Sequence, residues 1–283
     1  MKAHVLIREA PWYRRQAFVS GLKAAGCEVQ TAPPTHPGPE TLAVIWNRYG
    51  AMHELAKKVE AAGGRVMVAE NGYIGSGGTS PKFDVHPGGP QPHHYYALAW
   101  DHHNGGGTWP EGGPERWDRL GVELKPWRTA GSHLLVLPNR AFGVPGRMMP
   151  ANWASTAEKR FARLSGRPVR VRAHPGNKAP QRPLSRDLEG AWAAAVWTSG
   201  AGVQALVAGV PVFCDAPFWV CKAAASQGSP DDPTLPDRLP ALHRLAWAQW
   251  TVAEIESGEP FIRLFEHAKS VSAAGQREVA AGA

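Results

Sequence analysis

The 283-residue sequence predicts an α/β protein of two halves, each a largely parallel sheet with helices on both faces. Three observations carry this. Short apolar runs alternate with amphipathic stretches from residue 4 to residue 69, and again from 133 to 214. The runs are apolar throughout rather than alternating, as strands buried on both faces are. The length suits two domains of roughly 140 residues, each large enough for its own core.

In the first half, His4–Ile7 reads as a strand. Arg14–Ala25 reads as a helix, with Ala17, Phe18, Gly21, Leu22 and Ala25 at helical spacing and Gly26 as its stop. Cys27–Thr31 and Leu42–Trp46 are further strands, Ala51–Ala62 is an amphipathic helix ended by Gly63-Gly64, and Val66–Ala69 is the next strand. From Glu70 to Arg128 the periodicity dissolves. Residues 70–114 are dense in Gly and Pro, with histidines and aromatics between them, and a loop this long inside a compact domain is more often functional than idle.

Order resumes with the strand His133–Leu137, the helix Asn152–Leu164 and the strand Pro168–Ala173. The short helix Leu184–Ala191, the strand Ala193–Trp197, the helix Gly200–Ala208 and the strand Val210–Cys214 follow. Pro240–Glu256 and Pro260–Ala268 are helical, and the Ala/Gly tail beyond Ser272 frays. The halves join near residues 125–131. This gives a first domain over 1–128 and a second over 129–283 that includes the terminal helices.

Composition narrows the class. At 43% hydrophobic and 19% charged, the chain is neither a disordered tail nor a fibre. Cys27, Cys214 and Cys221 are too few and too scattered for a disulfide framework or a Cys-based zinc site, so a reducing compartment is the expectation. The 25 uncharged residues between Glu189 and Asp215 would pass for a membrane span on hydropathy alone. Thr198-Ser199-Gly200, Gly202, Gln204 and Gly209-Val210-Pro211 divide them into strand, turn, helix, turn and strand instead. With no signal-peptide layout at Met1–Glu9, the expectation is a soluble cytoplasmic protein with no membrane partner.

The formal net charge of +7 is unevenly placed. Residues 138–186 hold eleven cations against Glu158 alone, a charge of +10 in 49 residues. Such asymmetry implies an anionic partner, whether a nucleotide diphosphate, a nucleic acid or an acidic surface. Arg outnumbers Lys 21 to 10, which suits phosphate forks.

Within that half, Val169-Arg170-Val171-Arg172-Ala173-His174-Pro175-Gly176 ends one strand. Some 25 residues on, Trp197-Thr198-Ser199-Gly200-Ala201-Gly202-Val203-Gln204 turns another strand into a helix. Small residues at a helix start let a ligand approach the free N–H groups, and the dipole there favours an anion. Arg172 ends near the same rim and can fork onto a phosphate.

At these residues the sequence resembles nucleotide-sugar-dependent glycosyltransferases of the GT-B type, over roughly residues 132–217. The likeness is to the donor-binding half of capsule-polysaccharide-type enzymes and phage-encoded relatives. It implies two Rossmann-like domains facing a central cleft. It also implies a donor site of Arg172, His174, Ser199, Gly200, Ala201 and Gly202, with Arg140 and Gln204 nearby and Asp215 on donor hydroxyls. The co-substrate is then a nucleotide-diphosphate sugar, UDP-linked for preference, with no further cofactor required. Glu70-Asn71-Gly72-Tyr73-Ile74-Gly75 and Ala97-Leu98-Ala99-Trp100-Asp101-His102-His103-Asn104-Gly105 look like segments of small phage proteins of this type, some of which glycosylate hydroxymethylated bases in DNA.

Such a transfer needs electrostatic stabilisation of the leaving diphosphate and a base for the acceptor hydroxyl. Asp101, between Trp100 and two histidines, is the first candidate base, Glu70 the second and Glu9 the third. Trp12, Arg14, Arg15, Trp100 and His103 are candidates for contact with an acceptor, double-stranded DNA for preference, because aromatics interleaved with cations suit stacking on bases or sugars. A saccharide, lipid or small-molecule acceptor, or a non-catalytic basic binding module, are the alternatives. His86, His93, His94, His102 and His103 fall within 18 residues, yet adjacent histidines on a strand point apart and no spacing matches a helical zinc motif, so no metal site is assigned.

Overall fold

The computed structural model describes residues 1–10, 13–74, 95–140, 143–174 and 182–281, with the side chains beyond Val271 left aside. The first sheet is built on four parallel strands, β1 (Lys2–Val5), β2 (Glu28–Gln30), β3 (Thr41–Trp46) and β4 (Arg65–Asn71), lying in the order β2-β1-β3-β4. Helices α1 (Arg15–Ala24) and α2 (Gly50–Ala61) make the crossovers. Leu42, Ala43, Val44 and Ile45 are fully buried, which is what an apolar strand covered on both faces requires.

The region without periodicity contains a fifth strand. β5 (Tyr96–Trp100) runs antiparallel to β4, with Tyr96 opposite Asn71 and Trp100 opposite Met67. Its five residues are all buried, although Gly, Pro and His surround them in sequence. α3 (Glu115–Leu120) follows.

The second sheet is wholly parallel. Its strands β6 (His133–Leu137), β7 (Val169–Val171), β8 (Ala191–Val196) and β9 (Val212–Cys214) lie in the order β7-β6-β8-β9. Helices α4 (Trp153–Leu164), α5 (Leu184–Leu188) and α6 (Ala201–Val207) connect them. Trp153, Ala157 and Phe161, at i, i+4 and i+8, give α4 its buried stripe against Leu134, Val136 and Ala193. A two-stranded ribbon, β10 (Gly228–Ser229) with β11 (Asp232–Pro233), lies beyond β9.

The terminal segment returns to the first sheet. Residues read from the sequence as the single helix Pro240–Glu256 are α7 (Leu239–Ala246), β12 (Gln249–Trp250) and α8 (Val252–Ser257), and β12 pairs antiparallel with β5. The fully buried Gln249 is the reason for the break. Its amide accepts from the N–H groups of Tyr73 and Ile74, both at 2.9 Å, and donates to the Ile74 carbonyl at 2.8 Å. Arg116 fixes the same turn from below, donating to the carbonyls of Ala246 and Gln249 and to Glu254, with Trp250 under its guanidinium at 3.9 Å.

α8 then lies on α1 so closely that a Cβ at Gly21 would fall 1.7 Å from the Ile255 carbonyl oxygen. α9 (Glu259–Ala281) closes the layer, and the Trp100 indole donates to its Leu264 carbonyl at 2.9 Å. Helix thus continues through residues that read as a fraying tail. Among the described residues no helix is long and apolar enough to cross a membrane.

Candidate active site

The strand ends of the two sheets border one cavity of about 410 Å³. From the first sheet come Trp46, Asn47, Arg48 and Tyr49 just past β3, Glu70 and Asn71 at the end of β4, and His102, His103 and Asn104 after β5. From the second come Asn139 and Arg140 after β6, Arg147, Met148 and Met149 before α4, His174 after β7, and Thr198 after β8. Tyr13, Gly143, Val144 and Phe218 complete the described walls. This is the carboxyl-end crevice in which open α/β sheets hold ligands.

Backbone strain gathers around it. The described residues other than glycine with positive φ are Arg14 (52°), Asn47 (60°), Asp101 (67°) and Asn104 (52°). Asn47 and Asn104 line the cavity, and the other two adjoin Tyr13 and His102, which do. Left-handed non-glycine residues persist only where their surroundings hold them, and they cluster at functional sites.

Glu70 is the one carboxylate among the described lining residues. It keeps partial exposure on the cavity side. The Asn71 N–H donates to Oε1 at 2.7 Å, and the Asn47 amide, turned so that its nitrogen faces the carboxylate, donates to Oε2. Burial pushes its pKa up to about 7, against the smaller opposing effect of the Asn71 N–H. A carboxyl group tuned this far is half ionised at neutral pH, where a general base works best.

The imidazoles beside it are neutral. Burial, with smaller contributions from neighbouring cations, brings His102 down to about 4 and His174 to about 4, and His103 to about 3. His102 and His103 stack at 4.7 Å with an interplanar angle of 15°. The cations of the cavity are arginines. Arg48 is held bidentately by Glu60 at 2.6 Å and donates to the Asp101 carbonyl, so it braces the 101–104 turn. Arg147 lies over Phe218 at 5.1 Å and against Gly106, where a Cβ would meet its Nη1 at 2.2 Å. Arg140 stands beside His174, whose proton affinity it lowers. Tyr13, Trp46 and Tyr49 supply an aromatic wall, with Tyr13 edge-on to Trp46 at 4.9 Å.

Of the residues singled out in the sequence, Glu70, His102, His103, Arg140 and His174 line the cavity. The others are placed elsewhere. Asp101 is exposed next to the cavity, on the turn that Arg48 braces. Arg172 is committed to an ion pair with Asp187 and donates to the Arg182 carbonyl at 2.8 Å, with 13% of its side chain exposed. Asp215 accepts from Arg160 at 2.7 Å and from the Trp153 indole at 2.8 Å, a structural bracket rather than a hydroxyl-binding group.

Gly200 is exposed with open space where a Cβ would be, but Gly202 is small because Trp219 and Val196 pack on it. Ser199 caps its own turn, its hydroxyl accepting from the Ala201 N–H at 3.3 Å. Gln204 lines a second cavity, together with Val203 and Val207 of α6. The cradle expected from the Gly200 helix start and Arg172 is therefore not assembled. Thr198 alone of that turn reaches the first cavity, its N–H held by Asn139 at 2.9 Å.

On the acceptor side, Trp100 is 1% exposed with Arg65 stacked 3.9 Å above it. Arg15 pairs with Glu9, the third candidate base, and Arg14 hydrogen-bonds Tyr96. Trp12, His86, His93 and His94 lie outside the described residues. Among the described residues no group of three His, Cys, Asp or Glu side chains is placed to hold a metal ion.

Sequence reasoning passed over Asn47, Arg48, Asn71, Asn139 and Arg147. Four of them stand at or just past the ends of buried strands, at Trp46-Asn47-Arg48, Glu70-Asn71 and Pro138-Asn139, and a polar run where an apolar strand ends was the available signal. Arg147 had none beyond its place in the basic segment.

No protein-family model matches the sequence, and no curated protein matches it by sequence. Solved structures do match. The Thermosulfurimonas dismutans KpsC beta Kdo 2,7 transferase superposes with a TM-score of 0.54 at 13% identity, over 91% of this chain and 98% of that one. The beta Kdo 2,4 transferase of the same KpsC gives 0.53 at 14%, over 89% and 92%. At this identity the likeness is one of fold, and it extends through both sheets. It meets the resemblance to capsule-polysaccharide-type enzymes, and neither of these two structures is described as a phage or DNA enzyme.

Proposed function

We propose that the chain is a glycosyltransferase that moves a sugar from a nucleotide-activated donor to a saccharide hydroxyl, with Glu70 as general base. The observation that carries this is the pairing, in one cavity of a fold shared with two Kdo transferases, of a single carboxylate with Arg140 and Arg147. The two sheets are taken as the paired domains of a GT-B enzyme. The boundary lies near 128/129, and the residues from Leu239 onward are returned to the first domain.

In the step proposed, the acceptor hydroxyl loses its proton to Glu70 as its oxygen bonds to the anomeric carbon. The bond from that carbon to the donor phosphate breaks, and the phosphate keeps the electron pair. Arg140 and Arg147 take up the charge developing on it, an interaction worth more in the transition state than in the bound donor. Tyr13, Trp46 and Tyr49 suit the apolar face of a sugar ring, which stacks on aromatics. UDP sugars are the first donors to test.

A hydroxymethylated DNA base as acceptor retains one support, the exposed Lys159, Arg163 and Arg170 of the basic segment. Its candidate contacts give less. Trp100 is buried, Arg14 and Arg15 are engaged, and His103 is the one acceptor candidate among the described lining residues.

The test is a panel of nucleotide sugars offered with oligosaccharides, and separately with hydroxymethylated duplex DNA, the products read by mass. Transfer to a saccharide, lost in Glu70→Gln, is the expected result. Transfer to DNA alone would replace the acceptor. No sugar lost from any donor, with or without acceptor, would remove the enzyme reading.

A further inference from the structure

The stacked imidazoles after β5 have a hydrogen-bonding arrangement that the proposed reaction does not use. His102 Nδ1 lies 2.8 Å from the backbone N–H of His103 and 2.9 Å from the carbonyl oxygen of the same residue. One nitrogen thus has a donor and an acceptor in reach at once. Unprotonated, Nδ1 accepts from the N–H; protonated, it donates to the carbonyl, and neither state leaves it unserved. His102 Nε2 and His103 Nδ1 are both buried with no partner among the described residues. A buried polar atom left in that state destabilises the fold.

Burial is the main reason that His102 is neutral in the absence of ligand, and the cations facing it add to that. Arg147 approaches from the second sheet's side, both it and His102 lying against Gly106. Arg48 and His53 act from the β3–α2 side, and His103 stacks on the ring. Arg48 is already matched by Glu60, with the exposed Asp101 next in the chain. Arg147 has no carboxylate within ion-pair reach among the described residues, so it is the cation whose effect on His102 a bound anion would cancel. Removing a neighbouring positive field favours the charged imidazole.

We propose that His102 is an additional cation of the ligand site, taking up a proton from solvent when a phosphate group seats against Arg147 and thereby switching its Nδ1 from the His103 N–H to the His103 carbonyl. The proposal rests on the cavity being the anion site of the function above. It does not require that a sugar be transferred.

Sulfate is the probe, because it stays dianionic from pH 4 to 8 and contributes no proton of its own. Its affinity is measured by calorimetry in buffers of different ionisation enthalpy, and the His102 ring is followed by long-range proton–nitrogen NMR. The expected result is binding that tightens about tenfold per pH unit from pH 6 towards 5, with close to one proton taken up. His102 should then be an imidazolium when sulfate is bound at pH 6 and neutral without it. Glu70 also loses its charge as pH falls, so Glu70→Gln must keep this dependence and His102→Gln must lose it. A His102 ring still neutral with sulfate bound overturns the proposal, as does an unchanged pH dependence in His102→Gln, or no sulfate binding in the native protein that Arg147→Ala abolishes. Proton-linked sulfate binding without any sugar transfer would leave it standing and remove only the transferase.

Discussion

Arg147 and Arg172 belong to the same basic segment, 25 residues apart, and their environments are opposite. Arg172 sits at the end of β7 in the stretch that most resembles a donor-binding motif, yet Asp187 and the Arg182 carbonyl take up its guanidinium. Arg147 sits in an irregular stretch before α4 with no motif around it, and there it lines the cavity beside Gly106 and Phe218. Position at a strand end brings a residue to the rim. Whether its charge is available there depends on an acidic neighbour, and Asp187, itself 7% exposed, cancels the one and has no counterpart beside the other among the described residues.

The sharpest way to break the comparison begins with Glu70, the carboxylate that shares the cavity with Arg147. Glu70→Gln is isosteric and keeps an oxygen for the Asn71 N–H, so it should fold. Its turnover should drop by about 10²–10⁴, the usual share of a general base. In the native protein the rate should climb tenfold per pH unit below pH 7 and level off above it, since the base must be ionised and its pKa stands at about 7. A rate flat from pH 5 to 8 would assign the proton transfer elsewhere.

Next in size is the arginine pair itself. Arg147→Ala should reduce kcat/KM for the donor by roughly 10²-fold, the loss seen when one preorganised donor to a developing charge is removed, with the melting temperature little changed. Arg172→Ala should do the reverse. It leaves Asp187 with Arg182 alone, and breaking a buried pair costs about 3–5 kcal/mol when no second partner remains, so a smaller loss of stability is expected, with kcat/KM per folded molecule intact. Should Arg172→Ala fold normally and lose donor use, the sequence motif was the better guide.

Much of this was legible beforehand, and the failures have physical causes. Buried parallel strands leave long apolar runs, so β3, β4, β6 and β8 could be read to within two residues at each end. β5 and β12 could not: β5 is an apolar run hidden in a stretch dominated by Gly, Pro and His, and β12, at two residues, has too few positions for periodicity to register. Glycine was misread for a related reason. Gly202 faces the Trp219 ring rather than a ligand, and a sequence does not say what stands opposite a missing Cβ. Glu70 was named as a base but ranked second, since its burial depends on β5 and the returning terminal segment, both invisible as tertiary facts.

A smaller effect separates the histidines from Glu70 in the stability of the fold. His102, His103 and His174 have pKa values below their ordinary ones, so between about pH 4 and 6.5 the unfolded chain binds protons the folded chain does not. Stability contributed by these groups therefore rises with pH over that window. Glu70 works the other way from its ordinary value up to about 7, binding its proton more tightly when folded. His133, lowered by burial, joins the three histidines, and Asp101, raised by burial, joins Glu70. Four groups against two predict a melting temperature that increases from pH 4 to 6.5, with a steeper increase in Glu70→Gln and a shallower one in His103→Gln.

The smallest expected effect is the most discriminating for the reading of the sequence. Asp101 shapes the turn beside the cavity through its backbone: the carbonyl is gripped by Arg48, the N–H by the Val66 carbonyl at 2.9 Å, and the left-handed φ of 67° leads the chain into His102 and His103, which line the cavity. Asparagine tolerates that conformation as well as aspartate does. Asp101→Asn should therefore leave turnover within about twofold, because the residues that hold the turn touch only main-chain atoms. Asp101→Val, which keeps the size but resists positive φ, should cost far more in both stability and turnover. The reverse order, with asparagine dead and valine active, would return the carboxylate of Asp101 to the centre of the reaction.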